Sequence, residues 1–391
     1  MNIKRLGEFA EIQTGPFGSQ LHKEDYVLNG TPIVTVEHLG NRLFTEQNLP
    51  RVSDDDKQRL SKYILSEGDI VFSRVGSVDR CSYVDESHDG WMFSGRCLRV
   101  RPDKTVLPLY LYYYFCLEET KQFVRNIAVG ATMPSINTKL MSEVPVSIPE
   151  IESQQRIADI LSSIDNKIEL NETINENLLQ QAQAIFTREF LMFDEVPDSW
   201  QEGSLLDIAD YLNGLAMQKY RPADDEQGIP VLKIKELRQG SCDSNSELCS
   251  PSIKPEYIVH DGDVIFSWSG SLLVDFWCGG TCGLNQHLFK VTSSKYDKWF
   301  YYAWTNHHLD KFAAIAAGMA TTMGHIKREE LAKAEVLIPS KSDYDRIGGL
   351  LAPLYDLVIA NRIENRKLAT LRDELLPQLM SGQIDVSEVS L

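Results

Sequence analysis

The chain has 391 residues, enough for two or three domains that each bury a core. Its 43% hydrophobic and 24% charged residues are typical of globular proteins, and no apolar run approaches the length of a membrane span. The net charge of −17 opposes tight, unaided binding to nucleic acid without excluding it. We expect no signal peptide, and the seven scattered cysteines favour reduced thiols in the cytoplasm.

Residues 1–150 show the pattern of an α+β domain. Segments 27–36 and 70–74 are apolar or β-branched and end at Gly, Asn or Asp, which predicts short strands and turns. Segment 107–125 predicts one packed helix, and segment 299–314 predicts a second. We interpret their aromatic stripe as core, with a base-stacking surface as the alternative.

The sequence repeats itself over two units of about 190 residues each. Segments 30–34, 67–73 and 146–149 return, with the same glycines and prolines, as segments 228–232, 261–267 and 336–339. This repeat is too long for a solenoid, whose period is roughly 20–50 residues. It indicates a duplicated domain followed by a helix, and a duplicated domain predicts a duplicated or two-part target.

From residue 151 the apolar residues follow a heptad pattern, and the same pattern returns after residue 341. The first seam comprises Ile157, Leu161, Ile164, Ile168, Asn171, Asn175, Leu178, Ala182 and Ile185. The second comprises Ile347, Leu351, Leu354, Val358, Asn361, Asn365, Leu368, Arg372, Leu375 and Leu379. Asparagine in a seam typically fixes register, and its repetition favours this reading over a place at the edge of an amphipathic face.

Antiparallel packing of the two helices puts Asn171 opposite Asn365 and Asn175 opposite Asn361. Nearly every apolar seam residue is then matched, and Ile164 faces Arg372. This arrangement predicts two globular domains at opposite ends of the pair, related by a pseudo-two-fold axis. Pro353 and the Gly348–Gly349 pair predict a kink or a late start of the second helix.

The predicted fold class is therefore α+β, with two duplicated globular domains separated by a pair of long antiparallel coiled-coil helices. We place the first domain at 1–150, the central helix at 151–194, the second domain at 195–340, and the C-terminal helix and tail at 341–391.

Motifs for catalysis are missing from the sequence. It contains no Walker lysine loop, no dinucleotide fingerprint, no His-Glu-x-x-His motif and no tetrapeptide of an amino-methyltransferase. The acidic clusters 54–56 and 224–226 are interpreted as solvated loop charge rather than metal ligands, and Cys278 with Cys282 as thiols rather than half of a zinc site. His307 and His308 are expected at a helix surface. We therefore predict a chain without catalytic activity, metal or cofactor of its own.

Polar loops punctuated by glycine occur at matching places in both halves, with different side chains. Arginine suits guanine, asparagine and glutamine suit adenine, and small hydroxyls suit phosphate. The candidate DNA-binding residues of the first half are Phe17, Ser19, Gln20, Arg74, Ser77, Arg80, Arg96, Thr132, Ser135, Asn137 and Lys139. Those of the second half are Gln218, Lys219, Trp268, Ser269, Ser271, Asn285, Gln286, His287, Thr322, His325 and Lys327. Arg96, Arg99, Arg101 and Lys104 form one local basic stretch.

Several motifs together resemble those of the specificity subunit of Type I restriction-modification enzymes. They are segments 15–19, 67–74, 132–136 and 148–158 in the first half, and 261–266 and 375–382 in the second. The resemblance covers essentially the whole chain. The second half departs from it at 214–217, where the Gly-Pro-Phe-Gly-Ser run is absent, so the contacts of that loop are uncertain.

The resemblance implies two target-recognition domains that each read one half of a bipartite, asymmetric site in double-stranded DNA. It also implies two methyltransferase subunits that bind S-adenosylmethionine, and restriction subunits that join through them and use ATP and Mg²⁺. Two alternatives stay open. One is a DNA-addressing subunit of a related defence assembly without restriction activity, and the other is a protein scaffold, which suits the acidic charge better.

Overall fold

The computed structural model describes residues 2–18, 20–192, 195–318 and 326–386. The chain divides into two compact units. Unit 1 comprises residues 1–166 and 369–391, and unit 2 comprises residues 167–368. Two long helices, α5 (Ile151–Phe186) and α11 (Lys341–Ser381), contribute residues to both units. A short π-helical segment, Thr187–Leu191, continues α5.

Unit 1 alternates short strands with short helices. Its strands are β1 (Asn2–Arg5), β2 (Ala10–Thr14), β3 (Tyr26–Val27), β4 (Thr31–Val34), β5 (Arg51–Val52), β6 (Ile70–Ser73), β7 (Cys81–Tyr83), β8 (Met92–Phe93), β9 (Cys97–Pro102) and β10 (Pro145–Ile148). Its helices are α1 (Asp54–Arg59), α2 (Pro108–Cys116), α3 (Glu118–Ile127) and α4 (Thr138–Met141). Single 3₁₀ turns lie at Leu6–Glu8, Lys23–Asp25, Val36–His38, Ser61–Tyr63 and Glu86–His88.

Unit 2 repeats this alternation. Its strands are β11 (Gln201–Ser204), β12 (Asp210–Asn213), β13 (Ile229–Leu232), β14 (Leu248–Cys249), β15 (Ile258–Val259), β16 (Val264–Ser267), β17 (Leu273–Phe276), β18 (Cys282–Leu284), β19 (Leu288–Thr292) and β20 (Glu335–Ile338). Its helices are α6 (Leu205–Ile208), α7 (Ile234–Gln239), α8 (Lys298–His307), α9 (Leu309–Gly318) and α10 (Arg328–Ala332), with 3₁₀ turns at Met217–Lys219 and Pro255–Tyr257.

The sheets confirm the duplication. The order β2-β9-β6-β7 in unit 1 corresponds to β12-β19-β16-β17 in unit 2, and both sheets are antiparallel. In the second sheet, the strands β5-β4-β8 of unit 1 correspond to β14-β13-β18 of unit 2, and each set contains one parallel pair, β4 with β8 and β13 with β18. The edge strands differ, because β3 pairs with β5 in unit 1 and β15 pairs with β18 in unit 2. The pairs β1-β10 and β11-β20 also match. Both copies therefore hold the same turns at the ends of the same strands.

Each unit has its own apolar core, to which the long helices contribute. In unit 1, Ile157 and Leu161 of α5 and Leu379 of α11 pack with the aromatic residues of α2. In unit 2, Phe186 of α5 and Tyr355 of α11 pack with α8 and the β12-β19-β16-β17 sheet. Neighbouring aromatic rings such as Phe276 and Tyr302, with centroids 4.0 Å apart, add to the burial. The aromatic stripe is therefore core, as expected.

The predicted seam register is confirmed. In unit 2, Asn171 Nδ2 donates to Asn365 Oδ1 at 2.8 Å, and Asn361 Nδ2 donates to Asn175 Oδ1 at 2.9 Å. Residue numbers rise along α5 as they fall along α11, so the two helices are antiparallel here. Asn365 also donates to the carbonyl of Ile168 at 3.1 Å. These bonds satisfy amides that would otherwise be buried without partners, which ties the helices to one register.

The predicted register places Arg372 opposite the apolar Ile164. Arg372 is paired with another residue of α5, which the heptad pattern did not predict. Arg372 Nη1 bonds Asp165 Oδ1 at 2.8 Å, and Asp165 Oδ2 accepts a hydrogen bond from Tyr113 at 2.6 Å. Burial disfavours the charged guanidinium, but the bond with Asp165 outweighs it and raises the pKa of Arg372. The seam of unit 1 therefore contains a buried ion pair instead of an apolar contact.

The prediction of one helix in each of two segments is wrong. Segment 107–125 is two helices, because Leu117 adopts an extended conformation between α2 and α3, and the second half likewise forms α8 and α9. Helix α11 does not start late and runs without interruption through Pro353, so the kink stays a prediction. A side chain at Gly348 would come within 3.0 Å of the Trp299 indole, so this glycine allows close packing that offsets its low helix propensity.

Two expectations about polar residues are also wrong. Residues 54–56 form the first turn of α1 rather than a loop, capped by Ser53, where carboxylates are favoured by the helix dipole. His308 is buried and bonds the carbonyl of Glu335 at 2.8 Å. Two of the four residues of the basic stretch are paired, since Arg99 bonds Glu11 and Arg101 bonds Asp69, each at 2.6 Å. These residues serve the fold.

Candidate nucleic-acid interface

The four polar loops predicted for the first half meet in unit 1. We call residues 14–20, 73–77, 94–96 and 129–137 the first loop cluster. The amide of Arg74 bonds the carbonyl of Arg96 at 2.8 Å, and the amide of Ile136 bonds the carbonyl of Arg74 at 3.0 Å. The amide of Gly15 bonds the carbonyl of Cys97 at 3.2 Å. Main-chain bonds thus join all four loops into one surface.

The corresponding loops of unit 2 meet in the same way. We call residues 213–219, 267–271, 285–287 and 326–327 the second loop cluster. The amide of Ile326 bonds the carbonyl of Trp268 at 2.9 Å, which repeats the bond of Ile136 with Arg74. The amide of Gly214 bonds the carbonyl of Leu288 at 3.0 Å, which repeats the bond of Gly15. The backbone of the cluster is therefore duplicated along with the sheets.

One glycine in each cluster makes this close approach possible. A Cβ atom at Gly15 would lie 2.2 Å from the carbonyl oxygen of Ser94. At Gly214 it would lie 2.2 Å from the carbonyl oxygen of Asn285. Only glycine fits where two main chains approach so closely. Unit 2 lacks the rest of the Gly-Pro-Phe-Gly-Ser run but keeps this glycine, so the loop geometry survives the sequence change.

An aromatic side chain and an arginine stand together on the first loop cluster. Phe17 is 51% exposed, and the guanidinium carbon of Arg74 lies 5.1 Å from its ring centroid. Arg74 Nη1 also donates to the carbonyl of Gly95 at 3.0 Å. The cation–π contact and this bond hold the arginine in place beside an exposed ring. Such a pair can contact base edges and stack on a base.

The other candidates of the first half divide by exposure. Those whose residues are exposed are Ser77, Arg80, Arg96, Thr132, Asn137 and Lys139. Arg80 donates to the carbonyl of Leu39, and Asn137 caps α4 by accepting from the amide of Leu140 at 2.9 Å. The Gln20 amide oxygen accepts from Tyr63 at 2.7 Å, and the Ser135 hydroxyl donates to the carbonyl of Val129. Ser19 lies outside the described residues. The side chain of Arg96 has no hydrogen bond or ion pair within the described part of the chain.

The second loop cluster uses different side chains for the same positions. Trp268 stands where unit 1 has Arg74, and its indole donates to Asn213 Oδ1 at 3.0 Å. Ser269 and Asn285 are buried, and both bond His287, through its ring at 3.2 Å and its amide at 3.2 Å respectively. Because Ser269 and Asn285 are buried, we interpret them as residues that support the loop. Fewer of the residues predicted for the second half are then available to contact DNA.

The exposed and half-buried candidates of the second half remain available at the surface. Those that are exposed are Gln218, Lys219, Ser271 and Lys327, and those that are half-buried are Gln286 and His287. Thr322 and His325 lie outside the described residues. Their contacts with DNA stay predictions.

A cleft beside each cluster was missed by the sequence reasoning. The first has a volume of about 590 Å³, and its walls include Phe17, Tyr26, Val36, Glu37 and Arg96. The second, of about 440 Å³, is lined by Ile234, Lys235, Arg238, Gln239 and Ser271. Both clefts include the turn that follows the repeated strand, β4 or β13. No glycine marks this turn in the sequence. Its two copies differ in charge, and this difference is the sequence feature that could have identified the clefts.

The two clefts carry different electrostatics. In unit 2, Lys235 pairs with Asp243 at 3.1 Å, and a bond from the amide of Asn245 together with this lysine lowers the pKa of Asp243. Arg238 is exposed, and its side chain has no hydrogen bond or ion pair among residues 195–318 and the other described ranges. The second cleft is therefore lined by the cationic side chain of Arg238, whereas the carboxylate of Glu37 lines the first.

Among the described residues, no group of three His, Cys, Asp or Glu side chains is placed to hold a metal ion. None of the described helices combines the length and apolar character needed to cross a membrane.

Comparison with known proteins agrees with this geometry. The family described as "Type I restriction modification DNA specificity domain" matches residues 1–180 and again 197–372. The Type I restriction enzyme MjaIX specificity subunit of Methanocaldococcus jannaschii is 23% identical, over 99% of this chain and 94% of its own. The HindI specificity subunit of Haemophilus influenzae is 21% identical, over 97% of this chain and 100% of its own.

A solved structure shares the fold. The crystal structure of the S subunit of a Type I restriction-modification system from M. genitalium matches with a TM-score of 0.60. It covers 97% of this chain and 95% of its own, at 14% sequence identity.

Proposed function

Because the chain belongs to the family of Type I restriction-modification DNA specificity subunits, we propose that each of its two loop clusters reads one half of a bipartite site in double-stranded DNA. Specificity subunits are the DNA-recognition components of these systems and are not the catalytic ones. The observation that carries the proposal is the pair of loop clusters, which share main-chain bonds but not side chains. One scaffold used twice with different side chains suits two different half-sites.

The chain acts together with catalytic partners. We propose that two methyltransferase subunits, which bind S-adenosylmethionine, dock on this chain, and that restriction subunits join through them with ATP and Mg²⁺. The helix pair acts as the spacer that fixes the distance between the half-sites. The Asn171–Asn365 and Asn175–Asn361 bonds support a spacer of one defined register.

The net charge of −17 explains why partners are needed. Salt dependence of binding to DNA grows with the number of phosphates that a protein neutralises, and this chain can neutralise few. Binding by the lone chain is therefore expected to be weak, and addition of the methyltransferase is expected to tighten it. A tight complex of the lone chain with DNA that salt does not weaken would contradict this.

Methylation mapping tests the proposal. The chain is coexpressed with its methyltransferase, and methylated bases are mapped by single-molecule sequencing. We expect one bipartite motif, whose first half alone changes when residues 1–150 are exchanged for those of a relative. The purified chain with labelled S-adenosylmethionine and DNA serves as the control and should transfer no label. Methylation without a motif, or a change in both halves, would overturn the assignment of one half-site to each unit.

A further inference from the structure

The turns that border the two clefts are equivalent in the repeat but opposite in charge. Residues 35–39 follow β4, and residues 233–237 follow β13, with Glu37 at the position of Lys235. The next residue is buried in both copies and closes the turn. His38 Nδ1 accepts from the amide of Thr35 at 3.0 Å, and Glu236 accepts from the amide of Lys233 at 3.3 Å.

Burial of His38 leaves the preceding residue, Glu37, at the surface. His38 bonds the carbonyl of Gln47 through Nε2 at 3.1 Å, so both ring nitrogens are engaged within the fold. Glu37 is 69% exposed and accepts from the Thr35 hydroxyl at 3.2 Å. The distance from Glu37 to His38 Nε2 is 4.0 Å. A carboxylate offers about four acceptor positions, so most of the acceptor capacity of Glu37 faces the cleft.

We propose that Glu37 selects a base pair in the half-site read by unit 1, an inference that rests on the proposed function. Glu37 accepts a hydrogen bond from the N4 amino group of cytosine. Arg96 lines the same cleft and donates to O6 and N7 of the paired guanine. Together the two side chains match the donor and acceptor pattern of one G·C pair in the major groove.

The charge of Glu37 is what makes this position selective. A carboxylate beside DNA is repelled by phosphates, so it is tolerated where a base amino group faces it. A guanine or thymine at that place presents acceptors only, and the unpaired carboxylate then opposes binding. A lysine or glutamine would impose no such penalty. The side chains of Phe17, Tyr26 and Val36 add apolar surface to the wall of the same cleft.

The second cleft provides the contrast within the same protein. Arg238 and Lys235 bring donors and no carboxylate to the equivalent place. We therefore expect this cleft to favour acceptor edges or phosphates, and substitutions there to leave the first half-site unchanged.

The experiment uses the full chain in complex with its methyltransferase. Methylation rates are measured on duplexes that carry each of the four base pairs at every position of the first half-site. Glu37→Gln keeps the size of the side chain and adds an amide donor, and Glu37→Ala removes both. Glu86→Gln changes an exposed carboxylate of the same unit that does not line the cleft, and it serves as the matched control.

At one position the wild-type complex is expected to prefer one G·C orientation. Both Glu37 variants should reduce that preference roughly 5- to 100-fold, the range expected for one good base contact. Arg96→Ala should relax the same position, whereas Glu86→Gln should match the wild type. Thermal unfolding of each variant shows whether the fold is kept, and Glu37→Gln preserves an exposed residue of equal size.

Two outcomes would overturn the inference and leave the proposed function standing. In one, the Glu37 variants keep the wild-type preference at every position. In the other, they change the rate equally on all duplexes, as a surface charge would. A wild-type complex that methylates without any sequence preference would instead overturn the proposed function, and this inference with it.

Discussion

The 3₁₀ turn after β4 and the first turn of α7 after β13 share one capping hydrogen bond and differ in the charge of their exposed side chains. At the buried position, histidine in one unit and glutamate in the other accept the same main-chain hydrogen bond. At the exposed position before it, Glu37 and Lys235 carry opposite charges. Burial thus preserves a bonding role, because an unpaired buried amide is costly, while exposure leaves charge free to vary. The two units therefore differ in charge at the surface position that would contact a ligand.

The helix seam also differs between the two units. In unit 1, the pair Asp165–Arg372 lies in the seam with the Tyr113 hydroxyl. In unit 2, Ala182 belongs to the apolar core, its predicted partner Leu354 packs against that core, and the asparagine pairs add hydrogen bonds. The seam of unit 1 therefore contains an ion pair, whereas the seam of unit 2 combines apolar packing with neutral hydrogen bonds.

The largest effect is expected from Arg372→Ala. It leaves the Asp165 carboxylate 6% exposed with only the Tyr113 hydroxyl as a partner, which should cost unit 1 about 3 kcal/mol of unfolding free energy. Hydrogen exchange should rise in segments of unit 1 and not in 195–318. The triple variant Tyr113→Phe, Asp165→Leu and Arg372→Met makes the seam apolar without leaving a buried hydroxyl unpaired, and it should recover most of the loss. Equal exchange in both units after Arg372→Ala would contradict the comparison.

The loop glycines come next. Gly15→Ala drives a Cβ atom into the Ser94 carbonyl, and Gly214→Ala does the same at Asn285, so each should cost about 2 kcal/mol. Each should also impair only its own half-site. Gly18→Ala is the matched control, since nothing lies within 4 Å of a Cβ atom there. Urea unfolding and methylation mapping measure both effects. A tolerated Gly15→Ala would mean that the loops separate freely.

The seam asparagines should have a smaller effect. Asn171→Ala removes the donor to the Asn365 amide oxygen and should cost about 1 kcal/mol. Replacing both residues with leucine should instead raise the thermal unfolding midpoint, because an apolar seam is more stable. If the double variant also methylates sites with altered spacing, the asparagines fix the register. A double variant less stable than Asn171→Ala would argue against that role.

Two adjacent glycines of α11 give the smallest effect. Gly349→Ala enters open space in a helix and should stabilise the protein by roughly 0.5–1 kcal/mol. Gly348→Ala meets the Trp299 indole at 3.0 Å and should destabilise it or shift the intrinsic fluorescence. Thermal unfolding of both variants compares helix propensity with packing at neighbouring positions. Equal stabilisation by both would show that the indole moves aside without cost.

The sequence alone determined the features that depend on pattern. Repeated segments predicted the duplicated sheets, and the heptad with its asparagines predicted which residues of α5 face which residues of α11. Both features are repeated patterns along the sequence, and a shift in register would misplace every residue of the pattern at once. The glycines at 15 and 214 likewise marked loops that come together in space.

Only the tertiary structure decided the rest. Asp165 is the partner of Arg372 and also accepts a hydrogen bond from Tyr113, which lies far away in sequence. Trp299 packs against Gly348, and α11 is continuous through Pro353 although helix propensity opposes it. The burial of Ser269 and Asn285, and the clefts beside Glu37 and Arg238, arise where separate segments meet. Such contacts join residues that no local pattern connects, so propensity and periodicity could not reveal them.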